Sequence, residues 1–316
     1  MAEKKGMDTM DQAMDVIIIG AGPAGLTAGI YAKRAGLATL ILEKTGISGG
    51  QILTTYEVDN YPGLPLVSGF ELGESFRTHA ERLGVEIRSA EVEKIIDQGS
   101  TKTVVTKEGN YVTKTVIVAT GANHAMLGVP GEEELTGMGV SYCATCDGAF
   151  FRGRTVAVVG GGDVAVEDAI FLARGCSKVY LIHRRDELRA AKILQENLAK
   201  LENAEVIWDS EVTEIQGEDQ VENLIVRNKK TGETTLLPAD GVFIAVGTVP
   251  NTTFLTGLVE MDEKGCIVAD ETCATSVPGI FAAGDLRTKQ LRQVVTAAAD
   301  GANAVASVQQ YMLSLK

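Results

Sequence analysis

A strand, a glycine-rich turn and a helix follow one another twice in this chain, and this repeat constrains the fold more than any other feature. The first copy is DVIIIGAGPAGLTAGIYAKRAG, residues 15–36, and the second begins with TVAVVGGGDVAVEDAIFLARG at residue 155. In each copy a short apolar run predicts a buried strand, and the spacing after the glycines predicts an amphipathic helix. A second apolar run follows each copy, ATLILEK and SKVYLIH, and completes a β-α-β unit.

The glycines of the first turn fit a nucleotide-binding β-α-β unit. Gly20, Gly22 and Gly25 form the pattern G-x-G-x-x-G, in which the missing side chains allow a tight turn, backbone approach to a pyrophosphate and close helix packing. The helix N-terminus then faces the phosphates. Glu43 ends the second strand about 20 residues on, where an acid bonds ribose hydroxyls. Together the glycines, strands and acid are far more specific than glycines alone.

The second turn differs from the first in the residues after its second strand. Its glycine positions are Gly160, Gly162 and Ala165. Where an acid would repel a 2′-phosphate, this copy has Arg184, Arg185 and Arg189, which could pair with one. The alternative is a solvated basic helix start, because charge runs usually lie on the surface. Because these three arginines follow the second glycine motif, the sequence favours a binding site for NADPH rather than NADH.

Both units end in a similar way, which indicates duplication of a whole domain. TKTVIVATGA closes the first at Gly121, and ADGVFIAVGT closes the second at Gly247. The remaining tail is too short for its own core, so we expect it to complete the first domain. The predicted organisation is a disordered extension at 1–14, a first domain at 15–121 and 249–316, and an inserted domain at 122–248 whose connections act as a hinge.

Two cysteines stand two residues apart in SYCATCDG, residues 141–148, and three roles are open for them. They could bind a metal, form a structural disulfide within a loop or carry electrons. A zinc site needs further ligands at suitable spacing, but the other cysteines are scattered and the chain has three histidines, so we expect no metal. An odd number of cysteines without an export signal argues against a disulfide framework. The other three are predicted to be small buried apolar residues, namely Cys176, Cys266 and Cys273.

Charge restricts the partners of this chain. Its 42 acidic and 29 basic residues give a formal charge of −13, which would repel a phosphate backbone or an anionic bilayer. No apolar run approaches the roughly 20 residues of a spanning helix, and the start MAEKKGMDTMDQAMD lacks the apolar stretch of a signal peptide. We therefore expect a cytoplasmic protein that binds neither nucleic acid nor membranes.

Four segments together resemble the low-molecular-weight bacterial thioredoxin reductases. They are CATCD, HRRDELRA, GGQILTTYEVDNYPG and GIFAAGDLRTKQLRQVVTAAADGA. The resemblance covers the chain except roughly its first 14 residues. It implies an α/β fold of two Rossmann-like nucleotide-binding domains, with the NADPH domain, which carries the cysteine pair, inserted into the FAD domain. It also implies a homodimeric enzyme that reduces thioredoxin.

Carried over by motif, the resemblance assigns FAD to the first domain. The pyrophosphate would lie at the first glycine turn and the adenosine ribose near Glu43. Asp285 would bond the ribityl chain, and Gln293 and Val294 would meet the ring system. The residues expected at FAD are Gly20, Gly22, Pro23, Ala24, Gly25, Glu43, Gly50, Gln51, Asn60, Thr120, Gly121, Gly284, Asp285, Arg292, Gln293 and Val294.

NADPH is expected over the second glycine turn, with its 2′-phosphate on the arginines. The residues expected there are Gly160, Gly161, Gly162, Asp163, Ala165, His183, Arg184, Arg185 and Arg189. Two positions depart from the usual family pattern. Asp163 and Val164 replace Asn or Asp followed by Ser or Thr, and we expect the turn to keep its role. Tyr142 stands where the family often has a small residue, and it could change access to the cysteines.

The resemblance implies a route for electrons from NADPH through FAD and the Cys143–Cys146 disulfide to oxidised thioredoxin. Cys146 would lie nearer the flavin, and Cys143 would attack the protein substrate. Asp147 would exchange protons with these thiols, although it could cap a helix or turn instead of, or in addition to, that role. Cysteines and nicotinamide must each reach the flavin, and the dithiol must then reach a protein. We therefore expect the inserted domain to rotate about its two connections.

Other interpretations keep the fold and change the partner. A peroxiredoxin reductase usually has an extra N-terminal redox domain, for which the residues before Asp15 are too few. An oxidase of another dithiol protein or small dithiol, or a ferredoxin-driven relative, usually lacks a good NADPH site. A non-enzymatic redox sensor is disfavoured because donor site, flavin site and proton donor occur together. Replacing Cys146 with Ser separates these classes, since a reductase loses turnover and a nucleotide sensor can still switch.

Overall fold

The computed structural model describes residues 14–55, 58 and 60–315. Contacts divide the chain into one compact unit of residues 1–123 and 249–316 and a second of residues 124–248. The extension expected at 1–14 lies outside the described residues, apart from Met14, which begins the first strand.

The elements follow one another in three stretches of chain. The first stretch has β1 (Met14–Ile19), α1 (Pro23–Arg34), β2 (Thr39–Glu43), α2 (Gly69–Arg82), β3 (Glu86–Ser89), β4 (Val92–Asp97), β5 (Lys102–Thr106), β6 (Asn110–Val118) and β7 (Ala122–His124). The second has β8 (Val140–Ser141), α3 (Ala144–Asp147), β9 (Thr155–Gly160), α4 (Asp163–Ala173), β10 (Lys178–Ile182), α5 (Lys192–Leu198), β11 (Ala204–Ile207), β12 (Ser210–Gln216), β13 (Asn223–Asn228), β14 (Thr234–Pro238) and β15 (Gly241–Ala245). The third has β16 (Thr248–Pro250), β17 (Ile280–Ala282) and α6 (Val294–Ser314).

The first unit is built on a sheet with strand order β3-β2-β1-β6-β5-β4. β1 runs parallel to β2 and β6, with Ile17 opposite Leu40 and Val116. β5 pairs antiparallel with the first half of β6, and β17 pairs parallel with its second half. The segment that follows the second unit therefore completes the sheet of the first.

β1 is buried on both of its faces, which explains its unbroken apolar run. Val16 and Ile18 pack into a core that includes side chains of α1 and α6. Ile17 and Ile19 pack into a second core on the other face, with Leu255 among its members. Complete burial of each of these side chains contributes about 1.5–3 kcal/mol, so the central strand is strongly fixed.

Two glycines let α1 approach its neighbours at backbone distance. A Cβ atom on Gly25 would lie 1.9 Å from the carbonyl oxygen of Gly20, and one on Gly301 would lie 2.2 Å from that of Ala24. Any larger residue would push α1 away from the turn or from α6. The start of α1 is therefore held against both the strand end and the C-terminal helix.

The second unit repeats the parallel arrangement in a sheet of order β11-β10-β9-β15-β8. β9 occupies the place of β1, with β10 and β15 parallel to it on either side. A separate antiparallel sheet of β12, β13 and β14 belongs to the same unit. The prediction of an α/β fold with two Rossmann-like domains, one inserted into the other, is confirmed.

The two chain crossings between the units lie in β7 and β16, which form a two-stranded sheet. Within the part of the chain that the structure describes, no helix has both the length and the apolar character to cross a membrane.

Candidate active site

The predicted FAD residues of the first unit gather at one edge of its sheet. The turn at 20–25 follows β1, Glu43 ends β2, residues 120–121 follow β6, and residues 284–285 follow β17. These strands are parallel, so their carboxyl ends lie at the same edge. Open α/β sheets bind their ligands in this position.

The first glycine turn leaves room for a phosphate group. A Cβ on Gly20 would lie 2.5 Å from the carbonyl oxygen of Ala119, and Gly20 has a φ of +104°, so only glycine fits there. Gly22 is different, because a Cβ on it would meet no protein atom closer than 4.0 Å. α1 begins after Gly22 without a side-chain cap. Open space beside uncapped backbone N–H groups suits a pyrophosphate.

The SGGQ turn packs directly on this first turn. The N–H of Gly49 donates to the carbonyl oxygen of Ala21 at 2.8 Å, and a Cβ on Gly50 would lie 3.3 Å from the Cα of Gly22. The neighbouring Ser48 is fully buried, and no described residue bonds its Oγ. The structure thus brings Gly50 and the glycine turn together.

Glu43 binds the protein backbone around the turn. Its Oε2 accepts a hydrogen bond from the N–H of Ala21 at 2.7 Å, and its Oε1 accepts one from the N–H of Thr45 at 3.1 Å. The carboxylate therefore ties the end of β2 to the glycine turn. A ribose contact at Glu43 remains a prediction.

Asp285 provides the clearest test of whether FAD fits. Its Oδ1 atom is buried and meets no hydrogen-bond partner among the described residues. Burial raises the pKa of this carboxyl, although Lys289 and Arg292 oppose the shift. A buried acceptor without a partner is costly, and a ribityl hydroxyl would satisfy it. The residues present fit the cofactor at this point.

Residues predicted on the flavin side come together from distant parts of the sequence. The amide of Asn60 donates from Nδ2 to Oε1 of Gln293 at 3.0 Å, and Val294 begins α6. Arg292 donates from Nε to the carbonyl oxygen of Asp285 at 3.2 Å. Its guanidinium therefore supports the loop that carries Asp285.

Asn251 was not predicted, and it holds the end of β6. Its Nδ2 donates to the carbonyl oxygen of Thr120 at 3.0 Å, and the hydroxyl of Thr120 donates to the carbonyl oxygen of Asn251 at 2.7 Å. Its own N–H donates to the carbonyl oxygen of Gly121. Asn251 lies 131 positions from Thr120, and a single polar residue at that distance forms no sequence pattern from which the contact could be predicted.

The second glycine turn is shaped by a histidine. A Cβ on Gly161 would lie 2.2 Å from the ring of His183, which is 4% exposed. Burial lowers the pKa of His183, and nearby Arg189 and Arg184 act in the same direction. His183 therefore packs as a spacer behind the turn. Gly162 has open space, with no protein atom within 4 Å of an added Cβ.

The arginine segment is tied to this turn by two hydrogen bonds. The N–H of Arg189 donates to the carbonyl oxygen of Gly161, and the N–H of Ala191 donates to Oδ1 of Asp163, each at 2.8 Å. Arg184, Arg185 and Arg189 are exposed, and none forms an ion pair with any residue that the structure describes. Their charge remains available to a phosphate. Asp163 thus has a structural role.

Cys143 and Cys146 form a disulfide, with Sγ atoms 2.14 Å and Cα atoms 5.3 Å apart. Cys143 precedes α3, and its carbonyl oxygen accepts hydrogen bonds from the N–H groups of Cys146 and Asp147 at 3.2 and 3.1 Å. This single turn of helix keeps the two sulfurs together. Both cysteines are half-buried, so the bond is neither sealed in the core nor fully exposed.

Asp147 lies at the end of the same turn and faces a buried serine. The hydroxyl of Ser141 donates to Oδ2 of Asp147 at 2.6 Å and accepts from the N–H of Cys143 at 3.1 Å. Burial raises the pKa of Asp147, and the bond from Ser141 opposes that rise. Asp147 also occupies the N-cap position of a short 3₁₀ helix at Gly148–Phe151, but its side chain makes no capping hydrogen bond there. Ser141 was not predicted.

Tyr142 points to the start of the second unit. Its hydroxyl donates to Oε1 of Glu132 at 3.0 Å, and its ring stacks on His124 with centroids 5.0 Å apart. Burial, with Glu132 adding to it, raises the pKa of Tyr142 to about 12. The side chain is thus held by residues other than the cysteines.

The remaining cysteines behave as predicted. They are buried and form no disulfide, namely Cys176, Cys266 and Cys273.

Comparison with known proteins agrees with this arrangement. Residues 14–301 match the pyridine nucleotide-disulphide oxidoreductase family. The thioredoxin reductase of Listeria innocua is 47% identical over 311 residues, 98% of this chain and 97% of that protein. The thioredoxin reductase of Bacillus subtilis is 46% identical over 97% of each chain. The crystal structure of thioredoxin reductase from Streptococcus pyogenes is 48% identical, with a TM-score of 0.91 over 96% of this chain and 99% of that one.

Proposed function

This chain belongs to the pyridine nucleotide-disulphide oxidoreductases and, among them, to the thioredoxin reductases. On that basis we propose which residues carry out each step of the reaction. Two electrons pass from NADPH through FAD to the Cys143–Cys146 disulfide and on to oxidised thioredoxin. The observation that carries this proposal is the half-buried disulfide on one helical turn, with a carboxyl beside it whose pKa is raised by burial.

When bound, NADPH supplies a hydride and FAD stores its two electrons until the disulfide takes them. The glycine turn at 20–25 would hold the pyrophosphate of FAD, and Asp285 its ribityl chain. The turn at 160–162 would hold NADPH, with Arg184 and Arg185 on the 2′-phosphate. The open space at Gly22 and Gly162 and the unpartnered Oδ1 of Asp285 support this assignment.

The cysteines have distinct proposed roles after the disulfide opens. Cys143 attacks the disulfide of oxidised thioredoxin as a thiolate and forms a mixed disulfide. Cys146 then attacks Cys143, which releases reduced thioredoxin and restores the starting bond. The short helix supports this sequence, because Cys143 at its N-cap and Cys146 within it lie on one turn, with their Cα atoms 5.3 Å apart.

Asp147 is the proposed proton carrier for these steps. Each thiol that forms needs a proton, and each thiolate that attacks must first lose one. A raised pKa brings the carboxyl of Asp147 nearer to neutral pH, where it can both donate and accept. Ser141 keeps Oδ2 oriented by its 2.6 Å bond.

We also propose that the second unit rotates relative to the first during turnover. One fixed arrangement cannot present the cysteines and the nicotinamide to the flavin and then the dithiol to a protein. A bifunctional reagent that joins the two units should therefore abolish turnover. Unchanged turnover in chains shown by mass spectrometry to carry such a link would contradict the rotation.

An anaerobic titration tests the electron route. NADPH should bleach the flavin absorbance of the purified protein, and oxidised thioredoxin should restore it. The Cys146→Ser variant should still bleach but should not transfer electrons to thioredoxin. Cys176→Ala is the matched control, because it removes a thiol of the same unit that has no proposed role, and it should behave as the wild type. If NADPH fails to bleach the wild-type flavin, the proposed donor is wrong.

Two further features of the enzyme are proposals. A homodimer is expected, and light scattering coupled to size-exclusion chromatography measures it directly. A cytoplasmic location is supported by three buried cysteines that form no disulfide, since reducing compartments keep such thiols reduced. Cell fractionation checks the location.

A further inference from the structure

One acidic residue of α6 binds several parts of the loop that follows β17. Oδ2 of Asp300 accepts hydrogen bonds from the N–H of Gly284 at 2.8 Å, from Nε of Arg287 at 2.9 Å and from Nζ of Lys289 at 2.8 Å. Its Oδ1 accepts one from Nη2 of Arg287 at 2.7 Å. One carboxylate thus gathers a backbone amide and two cations.

This charged group is almost fully enclosed. Arg287 and Asp300 are each 2% exposed, and the side chain of Lys289 is 5% exposed. Burial acts against ionisation of Asp300, but hydrogen bonds from Arg287 and Lys289 hold its pKa below the usual range. Arg287 also reaches the carbonyl oxygen of Ala269. The network is therefore ionic, buried and satisfied.

A buried ionic network contributes little net stability, because apolar residues of similar volume often serve equally well. Its better-attested use is to fix one geometry. Here the geometry concerns Gly284 and Asp285, which lie just beyond the end of β17. Gly284 has a φ of +92°, and a Cβ on it would lie 3.1 Å from the Cβ of Ala24, so the loop is also pressed against the start of α1.

We propose that Asp300 is a positioning residue for FAD. It acts through the Gly284 amide and the two cations, and it holds the loop so that the unpartnered Oδ1 of Asp285 faces the ribityl chain. Asp300 does not itself touch the cofactor. This inference rests on the proposed function, because it takes Asp285 as a ligand of FAD.

Two substitutions separate the parts of the network. Asp300→Asn keeps the shape and one acceptor oxygen for Gly284, but it leaves Lys289 without its anion and Arg287 with only the exposed carboxylate of Glu271, 3.2 Å from its Nη2. Lys289→Met removes one cation and keeps the bidentate Arg287–Asp300 pair. Lys102→Met is the matched control: Lys102 is a fully buried lysine of the same unit that donates to Gly99 and pairs with Asp97.

The test is FAD affinity, measured by flavin fluorescence as FAD is added back to the deflavinated full-length protein. Asp300→Asn should weaken FAD binding about tenfold or more, as expected when a charged hydrogen-bond network is broken. Lys289→Met should weaken it less, in the same direction. Both should alter the visible absorption spectrum of the bound flavin. Lys102→Met should lower the melting temperature while FAD affinity stays at the wild-type value.

Three outcomes would overturn the inference. If Asp300→Asn and Lys289→Met bind FAD with wild-type affinity and spectrum, Asp300 does not position the cofactor, although the proposed function stands. If Lys102→Met weakens FAD binding equally, the effect reflects general destabilisation. A wild-type chain that binds no FAD would refute the proposed function as well. If Asp300→Asn fails to fold, the FAD affinity of Lys289→Met, compared with that of Lys102→Met, decides whether the network positions the cofactor.

Discussion

Gly162→Ala should give a folded protein that has lost much of its affinity for NADPH. An added Cβ at Gly162 meets no protein atom within 4 Å, and its φ of −93° and ψ of −177° suit alanine. Reduced freedom of the unfolded chain would stabilise the variant by about 0.4–1 kcal/mol. The weaker N-cap preference of alanine costs a similar amount. The free energy of unfolding should therefore change by less than about 1 kcal/mol.

Binding should respond far more strongly than stability. The methyl group would occupy the space where we propose that the pyrophosphate of NADPH approaches the N-terminus of α4. Loss of one charge-assisted hydrogen bond costs about 1.5–3 kcal/mol, which corresponds to about a tenfold to hundredfold higher KM for NADPH. Gly161→Ala should instead destabilise the fold, because its Cβ would lie 2.2 Å from the ring of His183.

Thermal unfolding without nucleotide and anaerobic flavin reduction by NADPH measure the two effects separately. Gly175→Ala is the control, since an added Cβ there also meets nothing within 4 Å and lies in the same unit. It should match Gly162→Ala in stability and the wild type in KM. Unchanged NADPH affinity in Gly162→Ala would refute the pyrophosphate site, and a large loss of stability would refute the steric argument.

Two other substitutions test the charges of the second unit. The double variant Arg184→Gln, Arg185→Gln should raise the KM for NADPH about tenfold or more while the KM for NADH stays unchanged; an equal rise for both would contradict the 2′-phosphate assignment. Burial, with Glu167 adding to it, raises the pKa of Asp168 to about 7, so its ionisation costs folded stability as pH rises from about 4 to about 7. Asp168→Asn should therefore raise the melting temperature by about 5–15 °C near pH 8 and hardly at all near pH 4, and an equal shift at both pH values would show that charge is not the cause.

The parts of this molecule that the sequence predicted are those with a local pattern. β1 and β9 follow from unbroken apolar runs, and the turns follow from glycines whose spacing has a steric reason. Gly25 illustrates this, because its predicted role of close packing corresponds to a Cβ that would lie 1.9 Å from Gly20. Such features depend on residues within one turn or strand, so they can be recognised in a short window of sequence.

Contacts between residues far apart in the chain cannot be recognised in this way. Asn60 and Gln293 were expected on the flavin side through family resemblance, yet their mutual hydrogen bond spans 233 positions. Asn251 and Asp300 were not predicted, because a lone Asn or Asp in a loop or an alanine-rich helix has many surface roles. Their function depends on which backbone groups the finished fold brings to them.

The segment before the cysteines shows a limit of reasoning from local sequence. In extended chain, successive side chains point to opposite sides. Ser141 ends β8 and bonds Asp147, whereas Tyr142 lies in a bend just beyond the strand and bonds Glu132. Because Tyr142 lies outside the strand, alternation could not have predicted the direction of its side chain. β8 contains only two residues, too few for a periodic signal, and its extended conformation depends on pairing with β15, about a hundred residues later in the chain. The direction of the Tyr142 side chain thus depends on contacts that exist only in the folded protein.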